Sequence, residues 1–395
     1  MIKKSLFLFI VFLFCTIASL RILQNTYWLQ QNHYILIANS FLQGRLDLPI
    51  HSQIMTGDIA VFKNKYYVYF GPVPAILLLP VVAIFTNPPS QHILGLIFVF
   101  FDFFFLYKIA KKMGLKKQDS CWLSLFFIFG TIFSSLGLTN ITSYQVQIIA
   151  TSFLIFALYE FFYQRRWLLI GICLALAGAT KPTLYLATIF FVIELIDLNF
   201  QIKIRNTLML IVPILISIFL LGTYNFLRFD NFFETGYSYQ TTTPVDPQDA
   251  ARGIFSLQYV PGNLYFLLFK GPEPVRANQN NYLLKPPYLK ADLWGMGIFF
   301  TSPLFLYIFL SKLRQKYVLI SWFTVLLMLI PTLTYFGTGM WQFGYRYTVD
   351  FYPFLFIILA SVFKDELPLM AKSLIVYSIF FNFYFMLSIW GIYPF

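Results

Sequence analysis

The stretch Gly44–Pro80, GRLDLPIHSQIMTGDIAVFKNKYYVYFGPVPAILLLP, sets two carboxylates, Asp47 and Asp58, among Arg45, Lys63, Lys65 and the tyrosines Tyr66, Tyr67 and Tyr69. A carboxylate within hydrogen-bond reach of a hydroxyl accepts its proton as the oxygen attacks an electrophile. Asp58 has the denser setting, with cations and aromatics directly behind it. Asp47 is the reserve, and its ordinary alternative is a solvated loop acid. Among three further cations, Lys181 and Arg228 could hold an anion such as phosphate. Lys181 stands in GATKPTLYLA between two apolar runs, where a snorkelling lysine is the competing reading. Arg346 and Asp350 stand four apart in FGYRYTVDFYP, a spacing that also suits an intramolecular pair on one helical face. Arg228, in YNFLRFDNFFETGYSYQ, can meet a lipid headgroup or a substrate phosphate. His33, His51 and His92 have no metal-ligand spacing, and no phosphate-loop, dinucleotide, zinc-protease or nucleophile-elbow motif is present.

The elements that must position these groups are membrane helices. Of 395 residues, 59% are hydrophobic and 11% charged, too few charges to cover a soluble surface. The mean hydropathy is +0.71. Apolar runs repeat at the length that crosses a bilayer core. The net charge of +12 fits a bias of Lys and Arg toward cytoplasmic loops, so nucleic acid is not an expected partner. Cys15, Cys121 and Cys173 all fall in apolar runs and make no disulfide framework.

Placing the basic connectors in the cytoplasm orients the chain with its N-terminus inside. Spans are then expected at Ser5–Arg21, His92–Lys108, Cys121–Leu138, Tyr144–Phe162, Trp167–Thr180, Thr183–Leu198, Thr207–Arg228, Gly297–Leu310, Tyr317–Phe336, Phe351–Phe363 and Ser373–Tyr393. The parity requires that Pro72–Phe85 dip rather than cross, and its prolines agree, each costing a helix interior about 3 kcal/mol. The expected fold is an all-α polytopic membrane protein of about eleven spans, one integral domain over 1–395. Two long outer loops, 22–91 and 229–295, carry juxtamembrane helices, one of them an amphipathic helix from Asn32 to Leu42. The candidate groups then gather at the outer face, with Asp102 a buried exception expected to hydrogen-bond a neighbouring helix.

The order HYILIANSFLQGRLDLP, GDIAVFKNKYYVYFGPVPAILLLP, LAGATKPT, YNFLRFDNFFETGY, FFTSP and GYRYTVDFYPFL resembles the GT-C membrane glycosyltransferases. The closest likeness is to bacterial relatives of the protein mannosyltransferases and lipid A aminoarabinose transferases (glycosyltransferase family 39-like). The resemblance touches nearly the whole chain. It implies a polyprenyl-phosphate-sugar donor and an inverting single displacement at the outer face of the cytoplasmic membrane. The acceptor it implies is a lipid, glycan or protein. Carried onto this sequence, Asp58 is the base and Lys181 and Arg346 hold the carrier phosphate, with Tyr66, Tyr67 and Tyr69 lining the site. No cofactor is required by this chemistry; a divalent ion could assist at the phosphate, but one or two acids do not make a convincing site for it. The better-known members carry an acidic pair a turn before Tyr-x-x-x-Ala, where this chain has Gln30 and Gln31 ahead of Tyr34 and Ala38. Either Asp58 carries the base role or the chain is a non-catalytic subunit on the same fold. A transporter or flippase is the rival from another class.

Overall fold

The computed structural model describes residues 31–49, 57–240, 252–278 and 283–389. The expected first span, Ser5–Arg21, and Gln30 lie outside them. The described chain is mostly helical. Five of its helices are long and apolar enough to cross a membrane: His92–Lys112, Thr142–Tyr163, Phe200–Phe229, Lys316–Thr334 and Leu369–Ile389. We call these α3, α6, α9, α12 and α14. Around them stand shorter helices: α1 (His33–Leu42), α2 (Val73–Ile84), α4 (Lys117–Phe129), α5 (Phe133–Leu138), α7 (Trp167–Thr180) and α8 (Thr188–Leu195). Later in the chain come α10 (Val260–Leu268), α11 (Ile298–Thr301) and α13 (Tyr352–Val362).

Several expected spans are shorter or interrupted. The run Cys121–Leu138 is broken between α4 and α5, at Gly130–Ile132. The run after Lys181 begins as a 3-10 turn, Pro182–Ala187, before α8. Gly297–Leu310 is α11 followed by a 3-10 segment, Pro303–Leu310. Both 3-10 segments open on proline, whose missing N–H keeps the preceding helix from running on unbroken. Helix α2 has 12 residues, about 18 Å at the α-helical rise, short of a hydrocarbon core of about 30 Å. It is the segment expected to dip.

Helix α7 packs closely against α6 and α9, and α3 lies along α6. Between α3 and α6, Ser152 Oγ donates to Asp102 Oδ2 at 2.5 Å, the cross-helix bond expected of a buried membrane acid. Exposed apolar side chains such as Phe100, Phe104, Leu215 and Phe219 face outward from α3 and α9, as lipid-facing surfaces do.

One element was not read from the sequence. Ile59–Phe62 and Lys65–Val68 form a hairpin, β1–β2, turning at Lys63 and Asn64. Both turn residues have left-handed φ, 49° and 60°, the twist a two-residue hairpin needs. Side chains alternate across it. Tyr66 and Val68 join a cluster with Tyr34, Ile37 and Leu78, whereas Tyr67 and Tyr69 pack beside Ala60 and Phe229. Four short strands matter less here: β3 (Glu273–Arg276) pairs with β4 (Leu284–Lys290), and β5 (Trp294–Met296) runs parallel to β6 (Gln342–Gly344).

Candidate functional site

Asp58 sits at the start of the hairpin in a left-handed conformation, φ 57°, directly after Gly57 at φ 70°. Aspartate tolerates this region better than most residues. The turn aims the carboxylate back over β2, where Tyr69 donates its O–H to Asp58 Oδ1 at 2.8 Å. From Tyr69 a row of rings leads inward. Its ring centroid lies 4.6 Å from that of Tyr237, which lies 6.3 Å from Tyr335. Tyr335 in turn lies 5.6 Å from Tyr347.

At the far end of this row stand both cations. Lys181 Nζ and Arg346 Cζ each lie 5.1 Å from the Tyr347 ring centroid. Arg346 also lies 5.6 Å from the Tyr144 ring. Cations over aromatic faces gain favourable electrostatics that partly replace lost water. Lys181 is the C-cap of α7, so the end of that helix sets its position. Its ammonium meets Asp350 Oδ1 at 2.7 Å, and Thr183 donates to Asp350 Oδ2 at 2.8 Å. The expected alternative, an Arg346–Asp350 pair on one helical face, is not what forms. Residues 346–350 are a 3-10 turn, in which positions four apart do not share a face.

Arg346 is only 8% exposed. Its Nη1 donates to Met340 O at 3.0 Å and to Gln342 Oε1 at 3.3 Å. Its buried Nε has no hydrogen-bond partner among the described residues. Burial disfavours the Arg346 charge, but Tyr347, Tyr144 and the Asp58 carboxylate outweigh it and hold the guanidinium above its ordinary pKa. Lys181 is held below the ordinary lysine value, because burial outweighs the favourable Asp350 carboxylate and Arg346 adds repulsion. Asp58 therefore acts on Arg346, and Asp350 and Arg346 act on Lys181, through a wall of tyrosines. Arg346 keeps spare donor capacity at Nε, whereas Lys181 is already engaged by Asp350.

Other expected site residues lie elsewhere. Asp47 forms an ion pair with Arg45 at 2.6 Å, and that hydrogen bond holds its carboxyl below the usual range. It has no contact with the row of rings. Tyr66 is turned to the opposite face of the hairpin by the strand alternation. Tyr67 packs against Phe229 at 5.2 Å and walls the hairpin rather than meeting Asp58. Arg228 is 3% exposed and donates to Val68 O at 2.6 Å and Asn225 Oδ1 at 2.8 Å. It is a clamp that ties β2 to the end of α9, unlike a headgroup ligand in open solvent.

The structure also adds residues the sequence reading passed over. Tyr237 and Tyr335 were not singled out, and Tyr144 entered only as a span boundary. Tyr347 lies within FGYRYTVDFYP, where Arg346 and Asp350 draw the attention. Their types gave no signal in a chain with 26 tyrosines; only their convergence does. Gln31, one of the two glutamines before Tyr34, accepts from the Thr142 N–H at 2.9 Å. Its Nε2 lies 3.2 Å from where a Cβ on Gly57 would stand, so it abuts the Gly57–Asp58 turn. Among the described residues no group of three or more His, Cys, Asp or Glu is placed to hold a metal ion. No protein-family model, no curated protein and no solved structure matches the chain.

Proposed function

We propose that this chain is a polytopic membrane glycosyltransferase of the GT-C kind. It moves a sugar from a polyprenyl-phosphate carrier to a hydroxyl-bearing lipid, glycan or protein at the outer face of the cytoplasmic membrane. The proposed topology has about eleven spans, with the N-terminus in the cytoplasm and the 22–91 and 229–295 loops outside. The observation that supports this reading is the continuous row of tyrosine rings that has Asp58 at one end and Lys181 and Arg346 at the other. Gln31 beside the Gly57–Asp58 turn supports it further. The place where the resembling family keeps its acid is, in this fold, next to Asp58.

In the proposed reaction the acceptor hydroxyl attacks the anomeric carbon while Asp58 takes its proton. The carbon–oxygen bond to the phosphate breaks, and its electron pair stays on the leaving phosphate. Arg346 and Lys181 face that developing charge from a preorganised, partly dry wall, where such donors are worth more than in water. No protein nucleophile is needed for one displacement.

The test is sugar transfer in proteoliposomes containing the purified protein, a panel of polyprenyl-phosphate sugars and hydroxyl acceptors. Asp58→Asn is expected to keep expression and melting temperature and to lose transfer. Full transfer by that variant would remove Asp58 from the base role. Solute uptake by the parent protein, with no chemical change and no transfer, would overturn the whole reading.

A further inference from the structure

Asp58 lies on the first outer loop, yet the group that holds its carboxylate is itself held by the second. Tyr69 donates to Asp58 Oδ1 at 2.8 Å. Burial, first, and then the Asp58 charge hold the Tyr69 phenol well above its ordinary pKa. At neutral pH it is therefore a neutral, obligate donor to the carboxylate.

Tyr69 is fixed from three sides. Its ring lies 4.6 Å from Phe70 and 4.6 Å from Tyr237. Gly236, at φ +98°, brings its backbone against the Tyr69 and Phe229 side chains; a Cβ there would lie 3.1 Å from Tyr69 Cβ and 2.6 Å from Phe229 Cζ. Gly236 and Tyr237 belong to the segment that follows α9. That segment is joined to the hairpin again where Ala60 bridges to Gln240 and where Lys63 pairs with Asp230. The two outer segments thus meet at Tyr69.

We infer that Tyr69 is a positioning residue for Asp58, and that the Gly236–Tyr237 turn completes the site by locking it. The inference rests on the glycosyl-transfer reading for its kinetic consequence. Occupying Oδ1 stops rotation of the carboxylate and leaves Oδ2 as the oxygen presented to the acceptor. The proton then passes from the acceptor hydroxyl to Oδ2, while Tyr69 keeps its own. Tyr69 touches neither donor nor acceptor in this scheme.

The variant that tests this is Tyr69→Phe, which deletes one oxygen and keeps the stacked ring. A hydrogen bond to a charged group is worth roughly 1.5–3 kcal/mol, which as a rate is about 10- to 150-fold. We expect kcat to fall within that range with donor and acceptor KM unchanged and melting temperature preserved. Tyr237→Leu should reproduce part of the Tyr69→Phe effect, and Tyr237→Phe should not. An unchanged kcat overturns the inference. A second readout does not need turnover: the infrared carboxylate band assigned by the parent-minus-Asp58→Asn difference. Tyr69→Phe is expected to shift that band, and an unmoved band also overturns the inference. A shifted band in a protein that transfers no sugar would leave the Tyr69–Asp58 bond standing and remove the glycosyl-transfer reading instead.

Discussion

Lys181 and Asp350 bind each other in a nearly dry setting, with side-chain exposures of 15% and 4%. Breaking such a pair from one side strands a buried charge and typically costs about 3–5 kcal/mol. Lys181→Met and Asp350→Asn should each lower the melting temperature sharply, whereas the double variant should recover most of that loss. Transfer should not return in the double variant, because the ammonium proposed to face the phosphate is gone. Recovery of both stability and transfer would make the pair purely structural.

His33 offers a residue-scale test with a sign. Burial, opposed by the nearby Asp58 carboxylate, lowers its pKa from 6.5 to about 4. Its Nδ1 lies 3.0 Å from Thr142 Oγ1, and its Nε2 has no partner among the described residues. Because the folded-state pKa is depressed, the unfolded chain takes up a proton first as pH falls. Stability is therefore full above pH 6.5 and drains away down to about pH 4, by about 3 kcal/mol. Melting curves across that window should be steeper for the parent than for His33→Gln. Equal slopes would show that His33 is already solvated.

At the scale of elements, the decisive contact is between the hairpin's exit and the end of α7. A Cβ on Gly71 would lie 1.8 Å from Ala179 O, and Tyr34 donates its O–H to Gly71 O at 3.3 Å. This close approach holds α1, the hairpin and α2 against the helix that ends at Lys181. Gly71→Ala must push the two apart, at a cost of about 1–3 kcal/mol in overpacking. Transfer should fall more than stability does, since the displacement separates Asp58 from Lys181. A variant that loses neither would mean that the first outer loop does not register the site. The hairpin itself was readable in principle. Two β-rich tetrads, IAVF and KYYV, flank a Lys-Asn turn, but the turn lacks the glycine that makes such a signal obvious. Its alternation is what separates Tyr66 from Tyr67 and Tyr69, and a shared motif could not reveal that.

For the molecule as a whole, the proposed orientation makes Lys63 and Lys112 report opposite faces of the membrane. In a cysteine-free background, Lys63→Cys should react with an impermeant maleimide in intact cells. Lys112→Cys should react only after permeabilisation. The reverse pattern would invert the topology and move the site to the cytoplasm. Neither side chain is buried, so access through the membrane, rather than burial, decides the outcome. The long helices were legible because hydropathy over about twenty residues reports directly on the cost of exposing them to water. The broken ones were not, since an apolar run reads alike whether it is one helix or a helix joined to a 3-10 turn.

The sequence by itself determined the solvent this protein lives in, the long helices, and the residue types able to handle a proton and an anion. Those are local properties, set by composition and by runs of neighbours. It also drew attention to Asp58, Lys181 and Arg346, although they are far apart along the chain. Only the tertiary structure decided that these three are linked by one row of tyrosine rings, that Asp350 answers Lys181 rather than Arg346, and that Asp47, Tyr66 and Arg228 stand apart. Such choices depend on which faces of the hairpin and helices are turned together. That is settled by close packing at contacts such as Gly71 against α7 and Gly236 against Tyr69, between segments that no local pattern links.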